Sequence, residues 1–273
     1  MSAYFGDKVP TWEDVRSYSD RWRLYQELIG GIPAGVGVKK LMLGEQWAYV
    51  EAESGTGVSM MVRGGAGGSR LMEPASQLDL RDLAALSTSW SFVEATAGVA
   101  ALNAWYGGEA QLRDLDMAID GGTTAFQMYA DLVAGKRVTV VGHFPMIEKM
   151  GDICDLTVLE RMPQPGDIPD PACEYIIGEQ DYLFATGITL TNKTLPRLLE
   201  LAREGATEVI MVGPSVVPAP VLFDYGVVCL AGSVVLDENA ERVKCAMEQG
   251  SRSNIFGAGL QKMRIEKPGW RSR

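Results

Sequence analysis

The chain has 273 residues, of which 47% are hydrophobic, and a formal net charge of −10. That size and balance suit a globular protein of about two domains with a real core, and the acidic charge argues against a nucleic-acid surface, which needs clustered Lys and Arg. No run of about 18 apolar residues occurs, so no membrane span is expected, and the opening MSAYFGDKVPTWEDV lacks the basic-then-apolar pattern of a secretory signal, which makes the cytoplasm the default location.

In chain order, TWEDVRSYSDRWRLYQELIG (11–30) reads as a helix, with Thr11 as its cap and Gly30 and Gly31 as its stop. Three short β-type runs follow at 35–44, 46–53 and 57–65, separated by Gly-containing turns, and their close spacing predicts an antiparallel meander. RGGAGGSR comes next. It fails the dinucleotide-loop pattern, because Arg70 stands where a third glycine should fall, and it reads as a flexible loop (64–70), with closure over the crevice from the first domain as an alternative. Apolar helices are expected at 78–87 and 91–106. The polar stretch 107–122, with glycine at both ends, reads as a linker between a first domain (1–106) and a second (123–273).

The second half changes rhythm. A helix at 123–136 precedes apolar runs at 137–142, 153–160, 181–187, 208–213 and 226–232. The amphipathic TLPRLLELAREG (194–205) lies between the third and fourth runs, and a helix at 237–250 follows the fifth. Continuous apolar strands alternating with helices predict an α/β fold with a mostly parallel sheet. The proline-rich segment 161–174 reads as a surface loop, and the basic tail QKMRIEKPGWRSR as a solvated or frayed end. The four cysteines form no C-x-x-C pair and no disulfide framework. Cys154 and Cys229 sit in apolar runs, as core residues do.

In parallel α/β sheets ligands bind outside the carboxyl ends of the strands. The residues there are Gly142-His143-Phe144-Pro145, Thr186-Gly187-Ile188-Thr189, Gly213-Pro214-Ser215 and Ala231-Gly232-Ser233. Glycine permits sharp turns and close approach, and hydroxyls with free N–H groups hold polar or anionic ligands. Thr194 is the expected cap of the helix that carries Pro196, which leaves Thr189, Asn192 and Lys193 beside a helix start suited to a carboxylate or phosphate, the alternative being that Asn192 and Thr191 only brace the turn. His143 is the only histidine in the chain. At the mouth of such a crevice it is the candidate acid–base or ligating group, the alternative being a loop histidine with a structural hydrogen bond.

VVGHFP, TGITLTNKTLPRLLELA and VGPSVVPAPVLFDYGVVCLAGSVV together resemble a family of uncharacterised prokaryotic proteins labelled "putative heavy-metal chelation". The resemblance spans about residues 120 to 260, and GVAALNAWY resembles the closing helix of the family's first domain. It implies a small α+β domain like the N-terminal cap of enolase, then a Rossmann-like domain, with a site between them. By motif that site takes in His143, Phe144, Thr189, Asn192, Thr194, Gly213, Pro214 and Ser215, with Glu94 and Asn103 from the first domain. Thr186, Gly187, Lys193 and Gly232 join it from the strand-end reading. The implied cofactor is a metal ion or metal chelate. The residues themselves suit an anionic small molecule better than a bare soft metal, which would want thiolates and imidazoles. The rival readings are a transferase or lyase acting on a nucleotide-like or amino-acid-like substrate without metal, and a non-catalytic metallochaperone or scaffold. A homodimer is the default assembly.

Overall fold

The computed structural model describes residues 10–18, 20–65, 71, 78–249 and 255–272. Most of the 64–70 loop, and with it the alternative that it closes over the crevice, lies outside the described residues. Among the described residues no helix is long and apolar enough to cross a membrane. The chain divides into two compact units: unit 1 holds Met1–Arg113 and Val234–Leu260, unit 2 holds Asp114–Ser233 and Gln261–Arg273. Residues 234–260 therefore group with the first unit and not, as the sequence suggested, with the second.

In unit 1 the expected single helix at 11–30 is broken. Helix α1 (Trp12–Arg16) is closed by a reciprocal Thr11–Asp14 capping box, and α2 is Arg23–Gly30. The break has local causes. Ser17 Oγ donates to the Asp14 carbonyl, and Gln26 Nε2 donates to the carbonyls of Val15 and Tyr18, so side chains take acceptors that a continuing helix would use. Strands β1 (Val38–Leu43), β2 (Trp47–Ala52) and β3 (Thr56–Met60) form the antiparallel meander. After α3 (Leu80–Ala85), α4 (Phe92–Tyr106) packs on β2 and β3. It is apolar nearly all round and correspondingly buried. Gly57 makes that approach possible: a Cβ there would sit 2.2 Å from the Ala100 carbonyl oxygen.

The expected linker carries α5 (Glu109–Leu112) and β4 (Met117–Ile119). The helix expected at 123–136 is two short ones, α6 (Ala125–Met128) and α7 (Ala130–Val133), parted at Tyr129, whose backbone leaves helical geometry. The parallel sheet of unit 2 then builds from β5 (Arg137–Val141), β6 (Asp155–Glu160) and the short β7 (Ile168–Pro169). After α8 (Cys173–Ile176) come β8 (Tyr182–Thr186), α9 (Ile188–Thr191), α10 (Leu195–Gly205), β9 (Glu208–Val212) and β10 (Val227–Val235). Strand order is β10-β9-β8-β5-β6-β7, every neighbouring pair parallel. The chain is thus a mixed α/β protein with a mostly parallel sheet.

Beyond β10, α11 (Ala240–Glu248) and α12 (Ile255–Ala258) belong to unit 1, where Val243 and Ile255 pack with Tyr49 and Val58. Strand β11 (Leu260–Glu266) returns to unit 2 and pairs antiparallel with β4. This corrects the reading of the tail as a frayed basic end. Met263 and Ile265 are buried at alternate positions, Arg264 pairs with Asp120 at 2.9 Å and with Glu266 at 2.8 Å, and Trp270 Nε1 donates to Glu208 at 2.9 Å. Arg264 is neutralised by Asp120, distant in sequence, and by Glu266, two positions on.

Candidate functional site

The site is built from the strand order. From β5 the chain steps to β6 and β7 on one side, then returns to β8 on the other side and continues to β9 and β10. The direction of winding reverses between β5 and β8, and in open parallel sheets the segments leaving such a pair diverge and open a crevice at their carboxyl ends. Those segments are Gly142-His143-Phe144 and Gly187-Ile188-Thr189.

Gly142 (φ 105°) and Gly213 (φ 101°) both adopt left-handed backbone that disfavours a side chain. The Phe144 ring lies across the ends of three adjacent strands. A Cβ on Gly142 would meet it at 3.4 Å and Thr186 at 3.3 Å; one on Gly213 would meet the ring at 3.6 Å. Phe126 supports the ring edge-on at 5.1 Å. The structure therefore brings together Phe144, Thr186, Gly213 and the adjoining His143. Gly187 backs directly on Ser215, with a hypothetical Cβ 2.4 Å from its carbonyl carbon. Thr189 is fully buried and donates its hydroxyl to the Thr186 carbonyl at 2.6 Å, bracing the turn from within. Pro214 is part-buried between Gly213 and Ser215, in a turn closed by Val216 N donating to Gly213 O.

The start of α10 differs from expectation. Thr194 occupies the cap position, but its hydroxyl makes no capping bond to the helix and instead donates to Asn192 Oδ1 at 2.7 Å, as its own N–H does at 3.1 Å. Asn192 is thereby committed to bracing the turn. Lys193 stands in the left-handed region (φ 68°) and its ammonium donates to the Thr191 carbonyl at 2.7 Å. Gly232 is a second correction. Strand β10 runs on to Val235, so Gly232 lies buried inside the strand and not in a loop beyond it. Its missing side chain admits Met263 and Val216, whose atoms would lie 2.9 and 3.2 Å from a Cβ.

Glu94 and Asn103 lie on α4 of unit 1, nine positions apart and so about 13 Å along the helix. Each has a structural partner: Ser89 Oγ donates to Glu94 at 2.6 Å, and Asn103 Nδ2 donates to the Val58 carbonyl at 2.9 Å.

His143 is surrounded by carboxylates. Its backbone N–H donates to Glu160 Oε2 at 2.9 Å. Its Nδ1 stands 3.1 and 3.0 Å from the two carboxylate oxygens of Asp167, and its Nε2 is 3.4 Å from Glu148. Sequence reasoning missed all three carboxylates. Asp167 sits in the segment read as a surface loop, and only the parallel pairing of β6 with β7 brings it back beneath the imidazole.

The donor set of the described residues does not fit a heavy-metal site made by side chains alone. Among the described residues no three His, Cys, Asp or Glu side chains are grouped to hold a metal ion. Burial, with help from nearby Glu266, pushes the Cys229 thiol up to about 12 against the lowering bond from Tyr129, and desolvation also raises Cys154. Neither supplies the thiolate that a soft metal binds.

Two family models match the chain, both described as "putative heavy-metal chelation": DUF364 over residues 124–265 and DUF4213 over residues 25–106. The chain belongs to the DUF364 family. A DUF364-family protein of unknown function from Desulfitobacterium hafniense, solved by crystallography, shares 35% identity over 92% of this chain and all of that one, with a TM-score of 0.83. A second such structure, from Pyrococcus horikoshii, shares the fold: TM-score 0.72, 21% identity, 90% of this chain and 98% of that one. An uncharacterised protein of Methanocaldococcus jannaschii is 28% identical over 200 residues, which is 69% of this chain and 72% of that protein. The family's description points to metal chelation and names neither a ligand nor a reaction.

Proposed function

We propose that this chain binds a small anionic molecule, free or carrying a chelated metal, at the carboxyl ends of β5, β8 and β9, with His143 facing the bound molecule. The observation that carries this reading is the reversal of strand order between β5 and β8, with glycine-lined turns, Phe144 and the sole histidine at that position. Backbone N–H groups at the turns and at the start of α10 suit negative charge. The poor metal-ligand set of the described side chains favours a metal arriving inside a chelate over one held by the protein alone. A second reading, turnover by proton transfer, is favoured by the contact between His143 and Asp167.

The test is the native mass of freshly purified protein against its denatured mass. A non-covalent excess of small-molecule mass is the expected result, and its isotope pattern reports whether metal travels with it. Thermal shifts with inorganic phosphate, citrate and ferric citrate complete the test, since a ligand at 100 times its Kd adds about 2.7 kcal/mol. An apo mass together with no shift from any of the three overturns the reading.

A further inference from the structure

We infer that Asp167 is the positioning residue of His143: it holds the imidazole protonated on Nδ1 and thereby makes Nε2 the atom that meets a bound molecule. This inference deepens the proposed function where the bound molecule is concerned, but the state of the ring stands without it.

The geometry is a mount with two anchors. Glu160, the last residue of β6, accepts three backbone N–H groups: His143 at 2.9 Å through one oxygen, Arg161 at 2.7 Å and Met162 at 3.1 Å through the other. It ties the turn after β5 to the turn after β6 and fixes the backbone of His143. Asp167 then fixes the ring. Both its oxygens lie within 3.1 Å of Nδ1, and one of them also accepts from the Gln164 N–H at 2.9 Å. The Asp167 side chain is only 4% exposed and that of His143 17%, so water competes little for this contact. An ionised carboxylate has lone pairs and no proton to give, so the nitrogen it faces must carry the hydrogen. In neutral imidazole the lone pair is then on Nε2.

The other face is open to change. Glu148, the carboxylate nearest Nε2, is 70% exposed and sits on the short turn Ile147–Asp152. It can turn to water when a ligand arrives, whereas Asp167 cannot. With its lone pair directed that way, Nε2 selects a ligand presenting a protic group, a hydroxyl or an N–H, as hydrogen-bond partner or proton source. Neither Asp167 nor Glu160 touches that ligand; both act through His143.

Because the chain has one histidine, the ring gives a single spin system in tag-free, ¹⁵N-labelled protein. Long-range ¹H–¹⁵N correlation, recorded on the neutral ring, reads the tautomer directly. The expected result is a pyrrole-type Nδ1 and a pyridine-type Nε2; the reverse pattern overturns the inference. In D167A the pattern is expected to move toward Nε2–H, the form a neutral histidine side chain prefers in water, while E148Q keeps the wild-type pattern. A folded D167A with the wild-type pattern also overturns it, since a residue that merely packed would leave the tautomer alone. Should D167A fail to fold, D167N replaces the carboxylate by a neutral amide, and the Hδ1 resonance must move upfield as the charge-assisted bond is lost; an unmoved Hδ1 counts against Asp167. No ligand enters these experiments, so they can succeed while the native-mass test fails, or the converse.

Discussion

Replacing Gly187 by alanine tests whether the turns after β8 and β9 are built on mutual contact. The new Cβ would lie 2.4 Å from both the Ser215 carbonyl carbon and the Val216 nitrogen, where carbon atoms in ordinary contact stand about 3.5–4.0 Å apart. Both obstacles are backbone, so one turn must move by roughly 1 Å; overpacking of this kind costs about 1–3 kcal/mol. In a chain of this size each kcal/mol moves Tm by about 2–4 °C, so G187A should melt roughly 2 to 12 °C below wild type. The assay is thermal and urea unfolding followed by circular dichroism, with the m-value compared to confirm that stability and not compactness has changed. Gly151 supplies the control. A Cβ there meets nothing within 4 Å, so G151A should match wild type or gain about 0.4–1 kcal/mol from the stiffer unfolded chain. Equal stability of G187A and G151A would refute the claim that the two turns are in contact.

Three other outcomes follow from the same geometry. N103A strips the Val58 carbonyl of its buried donor and should cost about 1–3 kcal/mol in urea unfolding; unchanged stability with loss of the natively bound mass would instead make Asn103 a ligand residue. The Cys229 thiol, pushed up to about 12 from 9.0 by burial, releases its proton first in the unfolded chain, so stability falls as pH rises from about 9 toward 12. One proton contributes a slope of about 1.4 kcal/mol per pH unit, and C229A should flatten the decline measured by unfolding across that range; an identical slope in the variant counts against the buried-thiol account. Removing residues 261–273 deletes buried Met263 and Ile265, worth about 1.5–3 kcal/mol each, along with the partner of Asp120. The shortened chain should be insoluble or melt far below wild type, and an unaltered Tm would restore the frayed-tail reading.

What the sequence determined by itself was local. The meander, the five principal strands of the parallel sheet and the amphipathic α10 follow from apolar periodicity and from Gly and Pro punctuation, because those signals act within a few residues. The glycine-marked ends of β5, β8 and β9 were legible for the same reason, and so was the position of His143. Tertiary structure decided the rest. Gly232 falls inside a strand because β10 continues past it, and the tail becomes β11 because β4 offers a partner more than 130 residues away in sequence. Thr194 gives its hydroxyl to Asn192 in place of the helix. Asp167 reaches the imidazole across 24 residues of chain, through a strand pairing that no spacing announces. A carboxylate in a proline-rich loop carries no local mark of the ring it will hold, since that contact is created by register between strands and not by sequence neighbours.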